Sequence, residues 1–358
     1  MKLWKTAIVA GLIAAAGVLP GEARPIYQEV PPQAVLVAKS ASRWHGVTVL
    51  PSGRIFVCYP AGESRPAFSV AEIAGGQAQP RFEDVAFHSV QSLITADDGR
   101  LWLLDTGRAE GTAEAGAVPR LLLADPATDT IETVYDIPAE VILPDSFLDD
   151  LRVDTAAGCA YITDSGHGGI LVLDLATGDA WRALSDIPEV RANLQSIYFH
   201  KTGVYNTATA HSDGLELSKD RKSLYFSALG SDCLYAIPTA VLRDRSKSVA
   251  ERQKAITLLS MHNVPADGMV LRDNYLFMGD LADEAVWRFD LTEPNKKEAG
   301  SMMVELQKDF RWPASFALAP DKSVYFTTTA ANYPKDQQAP YELYRMAWTK
   351  SMEIVDYQ

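Results

Sequence analysis

The sequence predicts an all-β fold, a six-bladed β-propeller of four-stranded antiparallel blades around a central channel. Two observations predict it. One phrase recurs along the chain, a small or acidic residue, an apolar strand, a polar turn and a second apolar strand carrying an aromatic. Short hydrophobic runs punctuated by Gly and Pro continue from end to end, with no linker or charge block to divide them.

The six copies are HGVTVLPSGRIFVCYP from His45, QSLITADDGRLWLLDTG from Gln91, DDLRVDTAAGCAYITDSG from Asp149, DGLELSKDRKSLYFSALG from Asp213, DGMVLRDNYLFMGDLA from Asp267 and ASFALAPDKSVYFTTTA from Ala314. They start roughly 46 to 64 residues apart, a spacing that suits four-stranded blades with variable loops. A third strand follows most copies, as in GGILVLDLATGDAWRAL and EAVWRFDL, with turn chemistry suited to hairpins. QAVLVAKS, residues 33–40, precedes the first copy and is expected to supply the outer strand of the last blade, closing the ring.

At the N-terminus, Lys2 and Lys5 precede an apolar run ending in Pro20 and the small-residue site Gly21-Glu22-Ala23, the pattern of a secretory signal peptide over residues 1–23. The run is short for a bilayer span. The expected mature protein is one propeller domain over 24–358, secreted or periplasmic, with no membrane association once the signal is removed. Loss of Lys2, Lys5 and Glu22 takes the formal charge from -13 to -14, which disfavours nucleic acid and favours a small neutral or cationic ligand. Cys58, Cys159 and Cys233 are too few and too scattered for a disulfide scaffold or a paired metal site, and read as buried, inert thiols.

In a propeller the innermost strands line the channel, so equivalent positions in successive copies form a ring. Aligned on the first strand, those positions are His45, Gln91, Asp149, Asp213, Asp267 and Ala314. Three carboxylates on consecutive blades repel one another unless their pKa values rise or a cation compensates them. Asp149, Asp213 and Asp267 are therefore the candidate ligands of a hard divalent cation, Ca²⁺ or Mg²⁺ before Zn²⁺, with Gln91 adding a carbonyl oxygen. The structural alternative is that each Asp satisfies turn backbone groups. Asp105, Asp164 and Asp280, at the ends of second strands, are assigned that structural role. Trp44, Trp312, His211 and His262 fall just before ring positions and complete a candidate pocket for an aromatic or aminated molecule.

The stretches LLLADPATDTIETVYDIP, DDLRVDTAAGCAYITDSGHGGILVLDLATGDAWRAL and DGLELSKDRKSLYFSALGSDCLYAIPTAVLRD, with the opening WHGVTVLPSGRIFV, resemble the major royal jelly protein and yellow family over essentially the whole mature chain. That resemblance implies a secreted six-bladed propeller and functions that include dopachrome conversion and binding of biogenic amines in the central channel. A more distant resemblance is to the gluconolactonase and regucalcin propellers, whose divalent-metal site uses a Glu, two Asn and an Asp. In those terms Asp149 and Asp213 stand at the Asn places, Asp267 at the Asp, and His45 replaces the Glu.

Two enzymatic readings follow, each with Asp267 at its centre. In a tautomerase, Asp213 or Asp267 is the base and a nearby His its proton-transfer partner. In a metal-dependent lactonase, a bound cation polarises the ester carbonyl and Asp267 activates water. A third reading is a binder of amines or aromatic small molecules without turnover.

Overall fold

The computed structural model describes residues 24–30, 33–62, 65–109, 116–206, 210–261, 264–292, 303–347 and 349–355. The signal-like segment 1–23 and His262 lie outside the described residues. The chain forms two compact units. One contains the antiparallel pair Arg24–Val30 and Thr349–Val355; the other, 32–347, holds six four-stranded antiparallel sheets.

The first five sheets are antiparallel meanders in which consecutive strands pair, and in all six the first and second strands are joined by a short turn. Blade one is Val47–Val49, Ile55–Cys58, Val70–Ala74 and Gln77–Arg81; blade two is Val90–Thr95, Leu101–Asp105, Arg120–Asp125 and Thr130–Asp136. Blade three is Leu148–Asp154, Cys159–Asp164, Gly169–Asp174 and Ala180–Ser185; blade four is Ser212–Leu217, Ser223–Ala228, Leu234–Pro238 and Thr257–Ser260. Blade five is Ala266–Arg272, Tyr275–Asp280, Ala285–Asp290 and Met303–Lys308. Blade six combines Pro313–Leu318, Val324–Thr328 and Tyr341–Met346 with Ala34–Ser40, so the ring closes through the strand the sequence assigned to it. The six first strands neighbour one another in a closed circuit.

Apolar clusters fill the spaces between successive sheets. Between blades three and four, for example, Tyr161, Ile170, Val172 and Leu184 pack against Leu215, Leu224 and Phe226. All three cysteines are free and buried. Burial pushes the Cys58 thiol up to about 12, which leaves it an inert S–H group at neutral pH.

The acids at the ends of the second strands are structural clamps. Asp105 accepts from the backbone N–H groups of His88, Ser89 and Gly107 and pairs with Arg120; Asp164 does the same for Phe147 and His167 and pairs with Arg182. Each carboxylate thereby ties the loop entering its blade to the loop leaving the second strand. Asp280 caps only the loop leaving its strand, accepting from the N–H groups of Ala282 and Asp283, and burial raises its pKa to about 6.

Candidate functional site

The ring positions gather where the first strands begin. In five blades the pairing of first and second strands is irregular at that point, between Val90/Ser92, Leu148/Leu151, Ser212/Leu215, Ala266/Met269 and Pro313/Phe316. A bulge re-aims a side chain. Gln91, Asp149, Asp213, Asp267 and Ala314 occupy these irregular positions, and His45 holds the corresponding place before Val47–Val49. Glycine follows three of them for a steric reason. A Cβ on Gly268 would come within 2.5 Å of the Ala314 carbonyl oxygen, and one on Gly46 within 2.9 Å of Cys58 Sγ.

Hydrogen bonds and one ion-pair contact link four of the six ring positions, Asp267, His45, Gln91 and Asp149. His45 Nδ1–H donates to the Gln91 carbonyl oxygen at 3.1 Å, and His45 Nε2 lies 3.4 Å from Asp267 Oδ1. Trp312 Nε1–H donates to Asp267 Oδ2 at 2.7 Å. Gln91 Nε2–H donates to Asp149 Oδ1 at 2.8 Å, and Ser165 Oγ–H to Asp149 Oδ2 at 2.6 Å. From the far side, Thr327 Oγ–H fixes the His45 carbonyl oxygen. Burial opposes a charged imidazole, but Asp267, by attraction and hydrogen bonding, and Asp149 outweigh it and lift the His45 pKa from 6.5 to about 9. His45 is therefore an imidazolium at neutral pH, set against Asp267 and near Asp149.

The ring is deeply set, with Asp213 3% and Asp149 6% exposed. Part of the cover is an insertion between blades three and four, the hairpin Ile197–Phe199 and Val204–Asn206. It reaches over to blades five and six: His200 N–H donates to the Ala282 carbonyl at 3.0 Å, Lys201 Nζ pairs with Asp309 at 2.6 Å, and Phe199 stacks on Trp312 at 5.6 Å between ring centroids. Trp312 itself has φ 56°, a left-handed conformation that costs a bulky residue energy and that its bond to Asp267 helps to hold. Two buried polar atoms at the ring have no partner among the described residues: Gln91 Oε1, and Thr329 Oγ at the blade-six place that Ser165 occupies in blade three.

Among the described residues no group of three or more His, Cys, Asp or Glu side chains is placed to share one metal ion. Asp149 and Asp267 already accept hydrogen bonds at both oxygens or lie against His45, and His45 brings the positive charge that a cation was expected to supply. In this arrangement the donor set does not fit Ca²⁺ or Mg²⁺. Trp44 does not line the mouth. It is fully buried in blade packing, 6.2 Å from Tyr59, because neighbours along an extended chain point to opposite sides.

His211 is half-buried at the base of the insertion, where its Nδ1 accepts from Ala192 N–H at 3.1 Å; burial and Arg191 hold its pKa low, so it is a neutral anchor. Ser165, Thr329 and Phe199 were missed. The first two could have been found by extending the repeat alignment one residue past the second strand, whereas Phe199 lies in the longest spacer and carries no repeat signal.

Six blades around a channel, with polar ring residues on five of them and Ala314 on the sixth, define a propeller whose inner strands bring the candidate site residues together. The chain belongs to the major royal jelly protein family, whose family model matches residues 88–334. Protein yellow of Drosophila subobscura is 25% identical over 245 residues, 63% of this chain and 42% of that protein. Protein yellow of Drosophila melanogaster is 28% identical over 166 residues, 42% of this chain and 30% of that protein. The chain thus spans less than half the length of these relatives. A gluconolactonase from Xanthomonas campestris aligns over 93% of this chain and 98% of its own with a TM-score of 0.57 and 13% identity. The calcium-binding protein regucalcin from Agrobacterium tumefaciens aligns over 89% and 96%, with a TM-score of 0.54 and 14% identity. At such identities the likeness is one of fold.

Proposed function

We propose that this major royal jelly family propeller is exported and handles a small aromatic, amine-bearing molecule at the ring, with tautomerisation of a dopachrome-type quinone as its reaction. The observation that carries the reading is the contact between His45 Nε2 and Asp267 Oδ1 at 3.4 Å inside a ring that also holds Asp149 and Asp213.

Asp149 and Asp213 supply negative charge for an ammonium group, and Gln91 Oε1 is an acceptor for one of its N–H bonds. Trp312 offers an aromatic face beside the acids. Asp267 takes a proton from a ring carbon of the substrate while the His45 imidazolium gives one to a quinone oxygen. The product is an isomer, so no oxidant or reductant is consumed, and proton exchange between His45 and Asp267 restores the starting state.

The test is the absorbance decay of dopachrome with the wild-type protein, Asp267→Asn and His45→Gln. General acid–base catalysis of this kind contributes roughly 100-fold or more, so each variant loses activity by about that factor. A wild-type rate no faster than buffer, with the amine still bound, would leave a binder and overturn the proton-transfer step.

A further inference from the structure

Blades three and six carry the same pair of hydroxyls at the ends of their second strands. In blade three, Thr163 Oγ–H donates at 2.8 Å to the carbonyl oxygen of Asp213, the ring residue of the next blade. Ser165, two residues on, donates its Oγ–H at 2.6 Å to Asp149 Oδ2, the ring residue of its own blade. Thr327 repeats the first bond in blade six, donating to the carbonyl oxygen of His45, the ring residue of blade one. Thr329 then stands where Ser165 does, and the register agrees: Ser165 N–H donates to the Phe147 carbonyl at 2.9 Å and Thr329 N–H to the Trp312 carbonyl at 3.1 Å, each two residues before its ring position.

The parallel ends at the side chain. Ala314, the ring residue of blade six, has no polar group to receive the Thr329 hydroxyl. Thr329 is 1% exposed, and its Oγ has no partner among the described residues. Such a group costs stability in the free protein, a cost that a ligand atom placed against it removes.

We propose that, given the aromatic-amine reading of the ring on which this rests, the Thr329 hydroxyl determines specificity by binding the phenol or quinone oxygen of the ligand. Side chains two residues apart point to the same side of a strand, so Thr329 faces blade one as Thr327 does, toward His45. The oxygen bound there lies on the side of the ring from which the imidazolium gives its proton. Thr329 also lines a cavity of 640 Å³ between blades six and one, with Pro60, Ala67 and Tyr341 among its walls, a volume within the range of small-molecule sites. Arg43, Arg65 and Lys335 stand in the same walls, so the ammonium end of the ligand turns to Asp149 and Asp213. A threonine hydroxyl both donates and accepts, and serves a quinone oxygen and a phenol alike.

The test pairs two calorimetric titrations with urea unfolding. Tyramine and phenethylamine differ only in the phenolic hydroxyl. Wild type is expected to prefer tyramine roughly five-fold, the size of one neutral hydrogen bond, and Thr329→Val to bind the two amines equally. Thr329→Ser, which keeps the hydroxyl, retains the preference, and Asp149→Asn weakens both amines while leaving their ratio as in wild type. Thr329→Val is expected to unfold at a urea midpoint no lower than that of wild type, because the hydroxyl it loses has no partner to leave behind. A lower midpoint would show a structural hydroxyl and overturn the assignment. Equal binding of the two amines by wild type, or a preference that survives in Thr329→Val, overturns it while the amine-binding ring stands. If wild type binds neither amine, the reading of the ring fails and the role of Thr329 fails with it.

Discussion

At the scale of single residues, His45 decides the character of the ring. An imidazole at this position would be neutral if burial acted alone, yet Asp267 and Asp149 hold its pKa at about 9 against 6.5 in the unfolded chain. A group whose pKa is raised on folding contributes stability that is complete below its unfolded pKa and is lost as pH rises through the folded one. The wild-type protein is therefore expected to lose on the order of 3 kcal/mol between pH 6.5 and about 9. Urea unfolding across that window measures the loss, and His45→Gln should flatten it; an equal slope in the variant would show that other groups titrate instead. Alignment of the repeats located His45, Gln91, Asp149, Asp213 and Asp267 because ring membership follows from repeat position. Their hydrogen-bond partners were not legible, since Ser165 and Trp312 come from other segments and reach Asp149 and Asp267 only after the blades have packed. Those bonds tie Asp149 to Gln91 and Ser165, and Asp267 to Trp312.

Among the elements, the bulged starts of the first strands set the spacing of the ring. The Asp-Gly pairs at Asp213-Gly214 and Asp267-Gly268 combine a re-aimed carboxylate with a residue small enough to admit the backbone of the next blade. Gly268→Ala places a methyl group 2.5 Å from the Ala314 carbonyl, and backbone has little room to yield. The expected cost is about 2 kcal/mol, read as a lowered urea midpoint with unchanged slope; a variant as stable as wild type would mean that blades five and six slide apart freely. First and second strands were legible because their alternation repeats six times. The covering hairpin at Ile197–Phe199 and Val204–Asn206 was not, because its strands have three residues each and are held by distant partners such as Ala282 and Trp312. Only the unusual length of the spacer between Asp149 and Asp213 marked its place.

Over the whole molecule, closure of blade six by Ala34–Ser40 joins the two ends of 32–347, so the ring is held in register around a complete circuit. Family membership and fold agree with the sequence reading, and the family's breadth leaves chemistry to the ring itself. One mouth of the channel carries Asp149, Asp213 and Asp267 with the His45 imidazolium. The most direct test of the ring is calorimetric titration with tyramine at neutral pH, comparing wild type with Asp149→Asn. Tyramine is expected to bind the wild type, and loss of one charge-assisted contact should weaken it roughly ten-fold or more. Identical affinity for the two proteins, or no binding to the wild type, would contradict an amine-binding ring.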